Sequence, residues 1–159
     1  GTTFDISLKF KIPKKQIEPI QDKKITILRN YDILQNKKIL LCEDHDLNIE
    51  VTRRLLESKK ITVEVAKNGK IGLEMFSQKP ENYYDAILMD IRMPIMNGLE
   101  ATNHIRKINT NYARKIPIIA MSANAFEDDI EKSLESGMNA HIAKPFEPVN
   151  LFDTLASFF

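Results

Sequence analysis

A chain of 159 residues is long enough for one domain of ordinary size with a short extension. Hydrophobic residues make up 43% of it and charged residues 28%, which is the balance of a globular protein with a packed core. The net charge of +1 gives no reason to expect nucleic acid or an anionic membrane as a partner. The single cysteine, Cys42, excludes an internal disulfide, and its place in an apolar run predicts a buried thiol.

No apolar stretch approaches the roughly 18 residues that a membrane span requires, and no signal peptide is visible. We therefore expect a cytoplasmic fragment that makes no membrane contact of its own, although a longer parent protein could be anchored in a membrane.

The N-terminal extension differs in residue composition and pattern from the rest of the chain. Within residues 1–12, apolar side chains at Phe4, Ile6, Leu8, Phe10 and Ile12 alternate strictly with polar ones, which predicts a half-buried strand that needs a sheet from elsewhere. Residues 13–36 are rich in lysine and are broken by Pro13 and Pro19. We interpret them as a linker with a second short strand at Ile25–Leu28.

From residue 37 onwards, short apolar runs alternate with segments of helical periodicity. The runs predict five strands, at Lys38–Cys42, Ile61–Val65, Tyr84–Met89, Ile116–Met121 and Ala140–Ala143. Apolar residues three or four positions apart predict a helix after each strand, at Leu47–Leu55, Ile71–Phe76, Leu99–Ile105, Phe126–Leu134 and Leu151–Phe158. This alternation predicts an α/β fold with a parallel sheet covered on both faces. Ligands of such sheets bind at the carboxyl ends of the strands.

Carboxylates follow two of the predicted strands. Glu43 and Asp44 come directly after the first strand, and Asp90 comes after the third. Three unpaired carboxylates at one edge repel each other unless a cation lies between them. Ligands that are all oxygen suit Mg²⁺, which keeps several waters and often bridges to a phosphate. We therefore predict a Mg²⁺ site, with Asp90 as the nucleophile because it is the lone carboxylate at the end of the central strand.

Two further strand ends carry groups that bind a phosphoryl group. Ser122 follows the fourth strand and offers a hydroxyl, and Lys144 follows the fifth strand and offers an ammonium. Pro145 fixes the turn after the lysine. Together with the carboxylates, these residues supply what phosphoryl transfer to an aspartate requires.

Each residue alone also has a structural interpretation. Glu43 and Asp44 suit the N-terminus of the next helix, and Asp90 suits a turn. Ser122 suits an N-cap, and Lys144 suits a solvated surface. The functional interpretation is favoured because four separate strand ends each carry the residue type that one chemistry needs.

Four segments together resemble the receiver domain of response regulators. They are Lys38–Asn48 (KILLCEDHDLN), Tyr84–Gly98 (YDAILMDIRMPIMNG), Ile116–Ala123 (IPIIAMSA) and Ala140–Phe146 (AHIAKPF). The resemblance covers residues 37–159, and its D-x-x-M-P-x-M-x-G pattern with a distant K-P is specific. It implies a flavodoxin-like, doubly wound (βα)5 fold with strand order 2-1-3-4-5.

The resemblance also implies roles for single residues. It makes Asp90 the phosphoacceptor, Glu43 and Asp44 the acidic pair that binds Mg²⁺, Ser122 the switch hydroxyl and Lys144 the phosphoryl-binding lysine. The family's pattern also places a metal-binding backbone carbonyl two residues after the phosphoacceptor.

For three further positions, the resemblance alone suggests a role or shows a difference from the family's usual residue. The metal-binding carbonyl falls on Arg92, and Arg92 and Asn124 occupy positions that influence the lifetime of the acyl phosphate. His141 stands where receivers often have tyrosine or phenylalanine, so the coupling of Ser122 to this switch position is expected to differ from the usual aromatic arrangement.

Residues 1–4 (GTTF), followed by an alternating strand, resemble the end of a histidine-kinase ATP-binding domain. The resemblance therefore implies a remnant strand at residues 1–12, a linker at 13–36 and the C-terminal receiver of a hybrid sensor histidine kinase at 37–159. The fragment would be a signalling module and not a stand-alone turnover enzyme. Its partners would be a histidine kinase or histidine phosphotransfer domain, and a second copy through the face formed by residues 126–159.

Two rival functions remain. A degenerate receiver would act only as a protein-docking module, which an incomplete acidic site would favour. An aspartate-based phosphohydrolase would show Asp-x-Asp at its nucleophile, whereas the second residue after Asp90 is Arg92. A DNA-binding output is not expected, because the chain ends with the last predicted receiver helix.

Overall fold

The computed structural model describes residues 31–123 and 126–159. The predicted strand at residues 1–12, the short strand at Ile25–Leu28 and Asn124 lie outside the described residues. Among the described residues, no helix has both the length and the hydropathy needed to cross a bilayer.

Five parallel strands form one sheet. They are β1 (Lys38–Cys42), β2 (Thr62–Ala66), β3 (Ala86–Asp90), β4 (Ile118–Ser122) and β5 (Ala140–Ala143). Their order is β2-β1-β3-β4-β5, and every neighbouring pair is parallel. The predicted flavodoxin-like topology is confirmed, with β3 in the centre. Because β3 and β4 are buried along their whole length, they consist of near-continuous apolar residues.

Helices connect the strands and cover both faces of the sheet. They are α1 (Asp46–Glu57), α2 (Gly69–Gln78), α3 (Gly98–Lys107), α4 (Asn111–Lys115), α5 (Glu127–Glu135) and α6 (Pro148–Ala156). The five predicted helices are confirmed. The short helix α4 was not predicted, since its five residues cannot show a helical repeat. The Thr110 side chain caps it by accepting a hydrogen bond from the Ala113 amide at 3.0 Å.

Two apolar clusters fill the space between the sheet and the helices. On one face, Phe76 of α2 and Ile105 of α3 pack against the sheet. On the other face, Leu56 of α1 and Leu155 of α6 do the same. Cys42 is fully buried in the first cluster, and burial raises the pKa of its thiol to about 12, so the predicted buried thiol is confirmed.

Most of the apolar stripe that predicted α1, and both ends of the stripe that predicted α5, do not face this core. Leu47 and Val51 on α1 are 71% and 50% exposed, and Phe126 and Leu134 at α5 are 69% and 49% exposed. The core side of α1 is formed instead by Ile49, Thr52 and Leu56. The periodicity identified the helices correctly, but these stripes are surface features that the core does not explain.

The last residues of the predicted linker contact the fold that follows. Asp32–Leu34 form a single turn of 3₁₀ helix, and the Leu34 side chain is fully buried. The Tyr31 ring lies 5.3 Å from the Phe152 ring, and the Tyr31 hydroxyl donates to Asp153 Oδ1 at 2.8 Å. These contacts hold residues 31–34 against the fold at α6.

A single arginine joins three connections at the amino-terminal edge of β4. The Arg106 guanidinium donates to the backbone oxygens of Gly137, Ala113 and Ile116 at 2.7–2.9 Å and to Asn139 Oδ1 at 2.8 Å. Burial lowers the pKa of Arg106. These hydrogen bonds tie α3 to the loops that enter β4 and β5.

Candidate functional site

The carboxyl ends of β1 and β3 bring three carboxylates together. One oxygen each from Glu43, Asp44 and Asp90 lies within 4.8 Å of the others. Glu43 and Asp90 are buried, at 1% and 7% exposure. Within the described part of the chain, the half-buried Asp44 carboxylate has no hydrogen bond or ion pair. The donors are all carboxylate oxygens and one of them is unpartnered, so the residues present fit a hard divalent cation such as Mg²⁺.

Lys144 lies between two of these carboxylates. Its ammonium donates to Glu43 Oε2 and to Asp90 Oδ2, the latter at 2.6 Å. The lysine side chain is only 16% exposed, so these pairs are poorly screened by water. Lys144 therefore lies with the acidic cluster, and not on a solvated surface.

The second oxygen of Asp90 is also held. Asp90 Oδ1 accepts a hydrogen bond from the Arg92 backbone amide at 3.0 Å. Burial raises the pKa of Asp90, and the negative charge of Glu43 acts in the same direction. The hydrogen bonds from Lys144 and Arg92 oppose this rise without cancelling it. Asp90 is thus a desolvated carboxylate with both oxygens oriented, which suits a nucleophile. The structure places the Arg92 amide on Asp90, while the metal-binding role of its carbonyl stays a prediction.

The start of α1 fixes Glu43. Glu43 Oε1 accepts from the His45 backbone amide at 3.2 Å and from Asn48 Nδ2 at 3.1 Å. Carboxylates are favoured at a helix N-terminus, where free amides point outward. Asn48 was given no role from the sequence, although its place in the first turn after an acidic pair was a usable signal.

Ser122 and His141, predicted as a switch pair, are in contact. Ser122 Oγ lies 2.8 Å from His141 Nε2, and the Ser122 side chain is buried. The other ring nitrogen, Nδ1, lies 3.2 Å from the hydroxyl of Ser133 on α5. Ser133 was not predicted, because no spacing in the sequence relates a serine in a helix to a histidine in the next strand.

The loop after β3 depends on a glycine that brings α3 against the acceptor. A Cβ on Gly98 would lie 2.1 Å from the Asp90 backbone oxygen, so only glycine allows this approach. The Asn97 side chain and Glu100 form a capping box that starts α3 at this point. The N-terminal end of α3 is thereby placed next to Asp90.

The same loop holds a β-branched residue in a strained conformation. Ile95 has φ +70° and is 80% exposed. The left-handed region costs a non-glycine residue about 1–2 kcal/mol, and asparagine tolerates it better than isoleucine. We expect Ile95→Asn to raise the free energy of unfolding by about 1 kcal/mol in urea titrations. Ile95→Val keeps the branched carbon and should change little. An unchanged Ile95→Asn stability would contradict a strained loop.

An apolar cavity of about 260 Å³ opens beside the acidic cluster. Its walls include Leu47 and Val51 of α1, Pro145 and Phe146 of the loop after β5, and Lys144. The exposed stripe of α1 therefore lines a groove that leads to the lysine on Asp90.

Comparison with known proteins assigns the chain to a family. Residues 39–156 match the family model of the response regulator receiver domain. The chain belongs to this family. The receiver domain resembles part of "Hybrid signal transduction histidine kinase I" of Dictyostelium discoideum, with 41% identity over 111 residues. It also resembles part of "Peroxide stress-activated histidine kinase mak1" of Schizosaccharomyces pombe, with 39% identity over 100 residues.

The two matches cover 69% and 62% of this chain but only 6% of each relative. The receiver domain thus corresponds to a small part of much longer proteins.

A solved structure agrees with this assignment. It is the receiver domain of a sensor histidine kinase from Pseudomonas aeruginosa PAO1, described with a magnesium ion coordinated in its active-site cleft. The two are 36% identical with a TM-score of 0.70, and the match covers 77% of this chain and 97% of that one. A chemotaxis protein from Vibrio cholerae, 22% identical with a TM-score of 0.70, shares the fold.

Proposed function

We propose that this receiver domain accepts a phosphoryl group on Asp90 within a phosphorelay, and that its parent is a hybrid sensor histidine kinase. The observation that carries the proposal is the placement of Asp90, paired with Lys144 at 2.6 Å inside a cluster of three carboxylates. The relatives support the parent, because this chain matches a short part of long histidine kinases.

The donor would be phosphohistidine on a histidine kinase or a histidine phosphotransfer domain. The other ring nitrogen of the phosphohistidine carries a proton; an Asp90 carboxylate oxygen attacks phosphorus, and the P–N bond to the imidazole breaks with its electron pair returning to the ring. The products are an acyl phosphate on Asp90 and a neutral histidine on the donor. Burial of Asp90 strips water from its carboxylate and makes it a better nucleophile.

Glu43, Asp44, Asp90 and the Arg92 backbone carbonyl would hold Mg²⁺, which neutralises charge on the acceptor carboxylate and the phosphoryl oxygens. Lys144 already donates to Asp90 Oδ2, so a short movement of its flexible side chain transfers the ammonium to a phosphoryl oxygen. Ser122, at the end of the neighbouring strand β4, would donate its hydroxyl to another phosphoryl oxygen.

The apolar groove beside Lys144 supports a protein donor. A phosphohistidine must approach Asp90 over α1 or the loop after β5, and the exposed Leu47 and Val51 lie on that path. An amphipathic helix of the donor would cover these side chains.

The exposed Phe126 and Leu134 lie on a separate face, at residues 126–159. After phosphorylation, this face would change its affinity for a partner or a second copy.

The test uses the 159-residue chain with Mg²⁺ and a small phosphodonor, phosphoramidate, followed by intact-mass measurement. We expect the mass of one phosphoryl group to be added to the wild type and none to Asp90→Asn. Asp44→Asn should slow the addition roughly tenfold or more by weakening Mg²⁺ binding. Asp46→Asn is the matched control, because Asp46 lies two residues further on and, among the described residues, pairs only with the exposed Lys67. No mass gain in the wild type would favour the docking-module function instead.

A further inference from the structure

A hydrogen-bond chain connects the acceptor edge of the sheet to α5. Ser122 Oγ lies 2.8 Å from His141 Nε2, and His141 Nδ1 lies 3.2 Å from Ser133 Oγ. Both serines are buried, at 3% and 0% exposure, and the histidine between them is half-buried. The imidazole therefore bridges two hydroxyl groups whose geometry is fixed by a strand end and by a helix.

The hydrogen-bond chain has a donor-to-acceptor direction, which is set by Ser133 on α5. The Ser133 hydroxyl donates its one proton to the Ile130 backbone oxygen at 2.7 Å. Ser133 can then only accept from His141, so the neutral ring carries its proton on Nδ1. Nε2 is left as an acceptor, and the Ser122 hydroxyl donates to it.

This direction opposes the role proposed for Ser122. Phosphoryl oxygens are acceptors, so Ser122 can bind one only by donating its hydroxyl proton to it. A second proton on His141 resolves the conflict, because Nε2–H then donates to Ser122 and the serine hydroxyl proton is released toward the phosphoryl group. The protonated ring keeps both of its hydrogen bonds.

Carboxylates lie on several of the elements around His141. Glu147 and Asp153, from the loop after β5 and from α6, line the same cavity as the histidine. On α5, Asp129 lies one turn before Ser133. The neighbouring strand β4 (Ile118–Ser122) contributes no titratable side chain.

We propose that His141 and Ser133 are positioning residues that make the engagement of Ser122 with the phosphoryl group depend on proton uptake by His141. This inference rests on the proposed phosphorylation of Asp90. By linkage, phosphorylation favours the protonated ring, and a lower pH favours the phosphoryl-engaged state. At the switch position, His141 thus responds to proton uptake, in place of the tyrosine or phenylalanine that receivers often have there.

The test follows the ¹⁵N and ¹H shifts of the histidine rings in the complete chain by NMR, as a function of pH, with and without phosphorylation by phosphoramidate and Mg²⁺. We expect phosphorylation to move the midpoint of the His141 titration upward by about 0.5–1 pH unit, which corresponds to one hydrogen bond of ordinary strength. His104, exposed on α3, is the internal reference and should not move. An unchanged His141 midpoint would overturn the inference.

Two buried serines, Ser133 on α5 and Ser136 at its C-cap, provide matched variants. Ser133→Ala removes the acceptor for Nδ1–H, so the neutral ring can protonate at Nε2 and release Ser122 without proton uptake. The midpoint shift should then fall close to zero. Within the described part of the chain, the Ser136 hydroxyl donates only to the Ser133 backbone oxygen, at 2.6 Å, so Ser136→Ala should keep the full shift. Equal shifts in the two variants would show that Ser133 does not position the ring.

The resting domain supplies a separate result if phosphorylation fails. If no phosphoryl mass is added to Asp90, the proposed function is refuted. The hydrogen-bond chain is then tested separately, by the tautomer of the neutral His141 ring. The ring nitrogen shifts of the unphosphorylated protein should show the proton on Nδ1. A proton on Nε2 would overturn the inference whatever the fate of Asp90.

Discussion

Replacing Lys144 by methionine is expected to lower the free energy of unfolding by about 3 kcal/mol in the absence of divalent cations. Methionine keeps the length of the side chain and removes the ammonium that donates to Glu43 and Asp90. Both carboxylates are buried, so they would be left as adjacent negative charges without a counter-charge. Urea titration near neutral pH with a chelator measures the loss.

Mg²⁺ should reverse most of this loss. The cation would supply the missing positive charge, so Lys144→Met should gain more stability from added Mg²⁺ than the wild type does. Lys67→Met is the matched control, because Lys67 pairs with Asp46 at the same distance of 2.6 Å but on an exposed surface. That variant should lose less than about 0.5 kcal/mol and show no Mg²⁺ rescue. Equal losses in the two variants would contradict a buried charge cluster.

The loss in Lys144→Met should also shrink as the pH falls. Burial raises the pKa of Asp90 even with the lysine present. A carboxyl with a raised pKa binds a proton more readily in the folded state than in the unfolded state, so stability rises as the pH falls toward its titration range. Without the lysine, the gain in stability on acidification is larger. The difference in free energy of unfolding between Lys144→Met and the wild type should therefore be smaller at about pH 5 than at about pH 7. A loss that grows on acidification would contradict this sign.

Arg106→Met is expected to lower the free energy of unfolding by about 3 kcal/mol. The variant removes the donors to the backbone oxygens of Gly137, Ala113 and Ile116, and leaves partly buried acceptors unpaired. Lysine cannot replace the fork of the guanidinium, so Arg106→Lys should recover only part of the stability. Thermal or urea unfolding of the three proteins measures the effect.

The control for Arg106 lies nearby. Arg114 on α4 donates to Asn109 Oδ1 at 2.7 Å, and this contact is exposed. Arg114→Met should therefore change stability by less than about 0.5 kcal/mol. A loss for Arg106→Met no larger than that for Arg114→Met would show that the buried hydrogen bonds contribute little.

The sheet could be predicted because its signal is local. Each strand is a short apolar run, and the predicted and observed bounds of β1 and β5 agree. The observed β3 and β4 begin two residues later than predicted, at Ala86 and Ile118, because apolar residues of the preceding loops extend each run. The strand order followed from the family resemblance, since periodicity alone does not determine which strands are neighbours.

The carboxylate cluster could be predicted for a related reason. Parallel strands bring their carboxyl ends to one edge, so residues at the carboxyl ends of β1 and β3 meet whatever their separation in sequence. The structure accordingly places one carboxylate oxygen each of Glu43, Asp44 and Asp90 within 4.8 Å of the others. Lys144 joins them because it follows β5 on the same edge.

Contacts made by helices could not be predicted in this way. Ser133 meets His141 and Arg106 meets Gly137 through the packing of helices on the sheet, which depends on their rotation and tilt. The exposed stripe of Leu47 and Val51 shows the same limit, since periodicity reveals a face without saying what covers it.

Chemical mapping of the phosphorylated residue tests the central claim most directly. Borohydride reduces an aspartyl phosphate to homoserine, and peptide mass spectrometry then locates the changed residue. After treatment with phosphoramidate and Mg²⁺, we predict homoserine at position 90 and intact aspartate at position 44. Conversion at Asp44, or a phosphoryl group retained on Ser122 or a histidine, would contradict the assignment of Asp90 as the phosphoacceptor.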